Sequence, residues 1–110
     1  DGGMSDNPRY ALYRSRYTVL LASRPKAEAN LLCDVVGRCC ESDDVIQPDV
    51  RLPEPERGEI LAVCTTGAYN YSMASNYNRL ARPAMVMLTD DSDYLAVRRE
   101  SLDDLVRNDI

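Results

Sequence analysis

Histidine, tryptophan and phenylalanine are absent from the sequence, and all of its aromatic character comes from seven tyrosines. Without histidine, this chain alone can build neither a Ser-His-Asp triad nor the usual kind of zinc site. Proton transfer near neutral pH would therefore depend on a cysteine, a tyrosine or a carboxyl group with a shifted pKa. Lys26 is the only lysine. Because it follows Pro25 in a turn-like stretch, we expect a solvated loop residue and not a Schiff-base lysine, which requires an apolar pocket.

Long apolar segments and excess positive charge are absent as well. The longest candidate run, residues 84–88, has the length of a strand and falls far short of the roughly 20 residues that span a bilayer. The net charge of -5 makes nucleic acid and anionic membrane surfaces poor partners. The 110 residues, 45% hydrophobic and 28% charged, predict one small globular domain over residues 1–110.

The sequence begins Asp1-Gly2-Gly3, with no initiator methionine and without the charged and apolar segments of a signal peptide. We therefore expect it to be a piece of a longer chain. Because an export signal is lacking, the four cysteines are expected to be reduced thiols and the protein to be cytoplasmic.

Short strand patterns separated by turn signals predict a mainly-β domain of about six strands. A Greek-key-like β-barrel or sandwich is favoured, because such a fold buries the apolar faces of many short strands. Pro48 is expected to end the third strand, and Pro53 and Pro55 mark an exposed connection. The strand at 84–88 is expected to be more buried than the others. The predicted strands lie within residues 9–22 and at 31–36, 44–46, 59–64, 84–88 and 94–98.

One internal and one C-terminal helix complete the predicted fold. Residues 67–78 place Tyr69, Met73 and Tyr77 at spacings of four, which is one stripe of a helix. Ser101 and Asp104 have the spacing of a capping box, so a short helix is expected to begin after Ser101.

Residues 39–44 bring two thiols and three carboxyl groups into six positions after a glycine. They are either a polar turn with one buried cysteine, or a thiol and a carboxylate held at the mouth of a site. A thiol with the ordinary pKa near 8.5 can donate a proton, and neighbouring charges can tune it. Metal binding is the weakest interpretation, because adjacent cysteines do not chelate as a C-x-x-C pair does and histidine is absent.

Two further segments carry groups that can hold an anion. Residues 65–69 pass from a strand into a helix, where backbone N–H groups attract phosphate and the Tyr69 hydroxyl adds a donor. An ordinary turn with Tyr69 in the core is the alternative. Arg9 and Tyr13, four residues apart, share a side of the chain in a helix or a strand, so they either converge on one anionic group or decorate the surface.

Taken together and in order, these segments resemble the diaminopimelate decarboxylase family. The resemblance rests on residues 1–7, Arg9 with 11–13, 40–44, 67–69 and 75–78, and it extends to the tail at 98–105. It concerns only the C-terminal part of that family. The family's members are fold-type III pyridoxal-phosphate enzymes, with an N-terminal (β/α)8 barrel that carries the Schiff-base lysine and a C-terminal β-domain. The resemblance therefore implies that residues 1–110 are the β-domain and that the barrel lies outside this chain.

The resemblance also implies a reaction and a site. The reaction is the conversion of meso-2,6-diaminopimelate to L-lysine and carbon dioxide, the last step of lysine biosynthesis, with pyridoxal 5'-phosphate as cofactor. Cys40 looks like the proton donor, and Glu41 looks like the carboxylate that holds the distal amino group of the substrate. Arg9 and Tyr13 look like ligands of the distal carboxylate, and Tyr69 like a contact to both cofactor phosphate and substrate. The active site is implied to lie at a homodimer interface, with the Cys40-Glu41 segment donated by the partner subunit.

Two positions depart from the family pattern, although neither removes a named role. Asp43 stands where a glycine is usual and adds charge beside Cys40, and Tyr10 stands where a proline commonly follows the arginine.

Two alternative functions remain open. The nearest is an ornithine or arginine decarboxylase of the same fold type, whose substrates lack a distal carboxylate for Arg9 to bind. The other is a non-catalytic regulatory module, which would be expected to lose Cys40, Glu41 or Tyr69. Without the barrel, the 110-residue chain is expected to be inactive. It is also expected to expose the surfaces at 9–13 and 69–78 that the whole enzyme buries.

Overall fold

A computed structural model describes all 110 residues, Asp1 to Ile110. It contains six β-strands and three short α-helices, so the predicted mainly-β class is confirmed. A 3-10 turn, Tyr77–Arg79, follows the second helix. The order of the elements is α1 (Arg9–Tyr13), β1 (Val19–Leu21), β2 (Leu31–Val36), β3 (Val45–Leu52), β4 (Leu61–Val63), α2 (Ala68–Ser72), β5 (Met85–Leu88), β6 (Asp93–Val97) and α3 (Leu102–Val106).

The strands pair as three antiparallel ladders, β1 with β4, β2 with β3 and β5 with β6. Val19 lies opposite Val63 in the first ladder, and Leu31 lies opposite Leu52 in the second. Each strand has one hydrogen-bonded neighbour, so the ladders do not close into a barrel. None of the helices has the length and apolar character needed to cross a membrane.

The hydrophobic core lies where β1 meets β3. Val19, Val50 and Leu52 form a buried cluster, and Cys33, Val35 and Val63 pack against it while remaining partly exposed. Period-two alternation explains the inward face of β1, because Val19 and Leu21 are buried while Leu20 between them is only half-buried. The core is small, so most apolar side chains outside it remain in contact with solvent.

The prediction that Pro48 ends the third strand is wrong, because β3 passes through it. The pairing of β2 and β3 shifts register between Cys33 and Val35, opposite Pro48 and Asp49. Asp49 adopts a left-handed backbone with φ of 54°, and its N–H donates to Oδ1 of Asp34 at 2.9 Å. Within the bulge, no hydrogen bond between the two strands requires an N–H group at position 48. Proline, which has no N–H, is therefore tolerated there.

Two predicted elements have different shapes in the structure. Residues 9–13 form helix α1 and not part of a strand, and Arg14 ends the helix in a left-handed conformation with its N–H bonded to Tyr10 O. The predicted helix at 67–78 is a single turn, α2, followed by a break and the 3-10 turn. The Ser72 hydroxyl donates back to the Ala68 carbonyl, an alternative bonding pattern that disfavours a longer helix.

The C-terminal elements lie where the patterns place them. Helix α3 begins with the predicted capping box, in which Ser101 Oγ accepts from the Asp104 N–H and the Asp104 carboxylate accepts from the Ser101 N–H. Strand β5 is also present, but the expectation that it is more buried is wrong for this chain. Val86 and Leu88 on β5 are 52% and 78% exposed, because no other helix or strand of the chain packs extensively against the β5–β6 ladder.

Candidate functional site

Helices α1 and α2 bring three of the predicted site residues into one cluster, Arg9, Tyr13 and Tyr69. The guanidinium carbon of Arg9 lies 5.2 Å from the ring centroid of Tyr13 and 5.4 Å from that of Tyr69. Stacking of a cation on two aromatic faces is attractive and restricts where the guanidinium lies. Tyr13 and Tyr69 are 62% and 66% exposed, so the cluster lies open at the surface.

Short local interactions shape α1 and so place Arg9. The Arg9 N–H donates to Oδ1 of Asn7 at 3.2 Å, and the preceding Pro8 occupies the N-cap position. One guanidinium and two phenol hydroxyls are donors that suit a carboxylate or a phosphate. Helix α2 contains only five residues, so its dipole is small and these side chains are the stronger donors of the cluster.

The Cys40-Glu41 segment lies in the loop between β2 and β3 and contacts the 3-10 turn. The Cys40 N–H donates to Oδ1 of Asn78 at 3.2 Å, and the Tyr77 hydroxyl donates to the Glu41 carboxylate. That hydrogen bond raises the pKa of Tyr77 above its ordinary value, and burial and the charge of Glu41 act in the same direction. The Cys40 thiol is exposed and makes no disulfide, which leaves it free for proton transfer.

A cleft lies between the N-terminal turn, the Cys40-Glu41 segment and the 3-10 turn. Its lining residues are Met4, Pro8, Glu41, Ser75 and Tyr77. Because Pro8 directly precedes Arg9, the cleft brings the Cys40-Glu41 segment near the start of α1. The structure therefore arranges the predicted residues in two groups, one cationic and one carrying a thiol and a carboxylate.

The two departures from the family pattern meet at one side chain, Arg14. Its guanidinium carbon lies 5.2 Å from the Tyr10 ring centroid, and its Nη1 lies 3.6 Å from Oδ1 of Asp43. Both partners in the ion pair are well exposed. Asp43 thus has a cation of its own, so the charge that it adds beside Cys40 is partly balanced.

Sequence reasoning did not assign roles to Tyr77, Asn78 and Asp44. The residue spacing predicts a helical stripe shared by Tyr77 and Tyr69, whereas the structure directs the Tyr77 hydroxyl to Glu41. Asp44 is buried and bonds to two backbone N–H groups of other residues. All three belong to segments that carry the resemblance, which is the only sequence signal that singled them out. No group of three or more cysteine, aspartate or glutamate side chains is arranged to hold a metal ion.

A protein-family model described as "Pyridoxal-dependent decarboxylase, C-terminal sheet domain" matches residues 1–67. The chain belongs to this family of pyridoxal-dependent decarboxylases, and it contains the C-terminal sheet domain.

Within the family, the chain is similar to diaminopimelate decarboxylases, as its motifs predict. It is 51% identical to that of Synechocystis sp. over 109 residues, which is 99% of this chain and 23% of the relative. It is 46% identical to that of Bacillus subtilis over 110 residues, which is 100% of this chain and 25% of the relative. The chain therefore spans about a quarter of the length of these curated relatives.

Solved structures give the same result for the fold. Diaminopimelate decarboxylase from M. jannaschii superposes with a TM-score of 0.90 at 36% identity, covering 100% of this chain and 25% of that one. The enzyme from Helicobacter pylori, complexed with L-lysine, superposes with a TM-score of 0.87 at 37% identity, covering 97% of this chain and 26% of that one.

Proposed function

We propose that the chain is the C-terminal β-domain of a pyridoxal-phosphate-dependent decarboxylase that converts meso-2,6-diaminopimelate to L-lysine and carbon dioxide, the last step of lysine biosynthesis. The observation that carries the proposal is the cluster of Arg9, Tyr13 and Tyr69, in which one guanidinium and two phenol hydroxyls meet at the surface. Identities of 51% and 46% to diaminopimelate decarboxylases support it. So does the similarity to an enzyme solved with L-lysine.

In the proposed homodimer, the Arg9 cluster of one subunit and the Glu41 carboxylate donated by the other are together complementary to the end of the substrate that does not react. That end carries one carboxylate and one ammonium group, so it requires a ligand of each charge. Arg9 and Tyr13 offer a cation and a hydroxyl donor to the carboxylate, and Glu41 offers an anion to the ammonium. Ornithine and arginine lack the distal carboxylate, which would leave Arg9 without a ligand.

The donor set also fits the phosphate group of pyridoxal phosphate, through the exposed hydroxyl of Tyr69 beside Arg9. When bound, this cofactor withdraws electrons from the bond that releases carbon dioxide. The only lysine, Lys26, is exposed in a turn. We therefore assign the Schiff-base lysine to an N-terminal barrel domain outside this chain.

Cys40 is the proposed proton donor. A thiol near neutral pH is protonated and can transfer its proton to the α-carbon of the substrate after carbon dioxide has left. The exposed position of Cys40 leaves its thiol accessible, while the bond from its N–H to Asn78 anchors its backbone. Tyr77 orients the neighbouring Glu41 through its hydroxyl.

The proposed enzyme is a cytoplasmic homodimer, in which the Cys40-Glu41 segment completes the active site of the partner subunit. The exposed apolar side chains of the β5–β6 ladder support further contacts between this domain and the rest of the proposed dimer. In the assembled protein, we propose that the three ladders form part of a Greek-key-like barrel or sandwich. The 110-residue chain alone is expected to be inactive because it supplies only one of the two domains.

The experiment that tests this proposal measures carbon dioxide release by the full-length protein with pyridoxal phosphate. Diaminopimelate, ornithine and arginine are offered in parallel, and Cys40→Ala is compared with Cys39→Ala. Cys39→Ala is the matched control, because it removes a neighbouring thiol from the same loop. We expect turnover of diaminopimelate alone, reduced about a hundredfold or more by Cys40→Ala and little changed by Cys39→Ala. Turnover of ornithine or arginine would indicate the related decarboxylases, and no turnover at all would favour a non-catalytic module.

A further inference from the structure

Asp44 is a buried carboxylate that no arginine or lysine of this chain neutralises. Asp44 is only 4% exposed, and none of the six ion pairs in the structure includes it. Two backbone donors bind it instead. The Met4 N–H donates to Oδ1 at 2.6 Å, and the Cys39 N–H donates to Oδ2 at 2.5 Å. Such charge-assisted bonds offset the cost of burying the carboxylate.

Two glycines make room for this carboxylate. A Cβ added to Gly37 would overlap the Asp44 carboxyl group, and one added to Gly3 would lie 3.0 Å from both of its oxygens. Neither glycine has a left-handed backbone, so close approach and not turn geometry requires glycine at both positions. The carboxylate is thus enclosed by the N-terminal turn on one side and by the end of β2 on the other.

The backbone of Asp44 closes the loop that carries Cys40 and Glu41. Its carbonyl accepts from the Gly37 N–H at 2.8 Å, and its own N–H donates to the Glu41 carbonyl at 3.2 Å. Together with the bond to Cys39, these contacts tie both ends of the loop to one residue. Cys40 and Glu41 therefore lie within a ring of contacts centred on Asp44.

We propose that Asp44 is the positioning residue of the Cys40-Glu41 segment. Its carboxylate joins the segment to the N-terminal turn and so fixes where the Cys40 thiol and the Glu41 carboxylate lie. The effect of Asp44 on catalysis rests on the function proposed above, but its effect on the place of Cys40 does not.

The chemistry of the site requires a carboxylate at position 44. Two N–H groups converge on its two oxygens, and both are hydrogen-bond donors only. An asparagine offers one acceptor oxygen, and its NH2 group would face the other donor. Asp44→Asn therefore preserves size but loses one bond and leaves a buried donor without a partner.

The test uses the full-length protein in a Cys39→Ser background. Because Cys33 and Cys64 remain free thiols, the alkylation of Cys40 is read by mass spectrometry from the peptide that carries it. The variants are Asp44→Asn, Gly37→Ala and Gly3→Ala. Gly2→Ala is the matched control, because its added Cβ would lie at an ordinary 3.6 Å from Oδ2 of Asp6. The readouts are the rate at which iodoacetamide alkylates Cys40 and the kcat for diaminopimelate, each normalised to the folded fraction from circular dichroism.

We expect Asp44→Asn and Gly37→Ala to lower kcat about tenfold to a hundredfold, since small misplacements of reacting groups have effects of this size. Asp44→Asn and Gly37→Ala should also change the alkylation rate of Cys40 the most. Gly3→Ala should change that rate less, and Gly2→Ala should leave it unchanged. Gly37→Ala leaves every atom of Asp44 present, so a shared response identifies the place of the carboxylate as the cause. If Asp44→Asn fails to fold, the milder Gly3→Ala decides.

Unchanged alkylation and kcat per folded molecule would overturn the proposal, because Asp44 would then serve stability alone. A wild-type protein without decarboxylase activity would count against the proposed function. The alkylation series would still decide the role of Asp44 in that case, so the two failures are distinguishable.

Discussion

The N-terminal half of the chain and its C-terminal half are stabilised by different kinds of interaction. All eleven buried residues lie between Gly3 and Pro53, and none follows Pro53. They include both apolar side chains and polar groups such as Asp44 and Gln47. Beyond Pro53, ion pairs whose arginine is exposed take the place of a core, namely Arg79–Asp109, Arg82–Glu100 and Arg98–Asp104.

The difference separates a half that is stabilised within this chain from one that is not. Burial of apolar side chains is favourable in proportion to the area removed from water, whereas ion pairs in contact with solvent contribute little. The C-terminal half also leaves large apolar side chains in solvent, among them Leu88 and Leu95 at 78% and 59% exposed. The family model, which matches residues 1–67, covers all of the buried residues. The contrast fits a domain whose second half is completed by the rest of the proposed enzyme.

The largest expected effect comes from the core of the first half. Leu21 is 1% exposed, and Leu21→Ala in the 110-residue chain should lower the free energy of unfolding by about 2–5 kcal/mol because it leaves a cavity. Urea denaturation followed by circular dichroism measures this. Leu88→Ala is the matched control on β5, and it should change the free energy by less than about 0.5 kcal/mol. Equal losses would show that the two halves are packed alike.

A second prediction concerns the same leucine in the full-length protein. If the β5–β6 ladder is covered there, Leu88→Ala removes buried apolar contacts and should cost about 2 kcal/mol. The urea midpoints of full-length wild type and Leu88→Ala, compared with the same pair in the 110-residue chain, measure the difference. No loss in the full-length protein would mean that this surface stays exposed, which contradicts the proposed covering.

Local signals made part of the fold predictable. Strand 31–36 was predicted with the bounds that the structure has, and the capping box at Ser101 was recognised from two residues three apart. Local sequence does not predict that β3 passes through Pro48, because this depends on a bulge fixed by Asp34 on the partner strand. Helix α1 was missed because five residues are too few to separate a helical period from alternation.

The site was predictable only to the extent that its motifs resemble a family. The stacking of Arg9 on the Tyr69 ring joins residues 60 positions apart and depends on how α1 and α2 meet. The bond from Tyr77 to Glu41 and the bonds to Asp44 likewise join segments 36 and 40 residues apart. No spacing along a single segment encodes such contacts, so the roles of Tyr77 and Asp44 required the structure.

Helix α3 provides a smaller test of the second half. Ser101→Ala removes the oxygen that accepts from the Asp104 N–H, which typically costs about 1 kcal/mol. Because α3 is terminal and exposed, the loss should appear as faster amide exchange within residues 102–106 and not as a lower global stability. Asp103→Asn keeps both capping bonds and should leave exchange nearly unchanged. A global loss of stability would show that α3 is integral to the core.

The smallest expected effect on stability comes from the ion pairs. Arg82 and Asn76 bond to Glu100 and lower its pKa from 4.5 to about 2. A carboxyl group whose pKa is lowered on folding stabilises the folded state above its unfolded pKa, and it loses that contribution as the pH falls towards its folded pKa. The stability from Glu100 should therefore be present above about pH 5 and lost between about pH 5 and pH 2.

Comparison of urea midpoints for wild type and Glu100→Gln measures this contribution. The wild type should be slightly more stable at pH 7, and the two curves should converge as the pH falls to 2. High salt should reduce the difference at pH 7, because the Arg82 side chain is 40% exposed and the pair is screened. A difference that is large and independent of pH would show that Glu100 acts through packing. The second half would then depend on interactions more like those of the first.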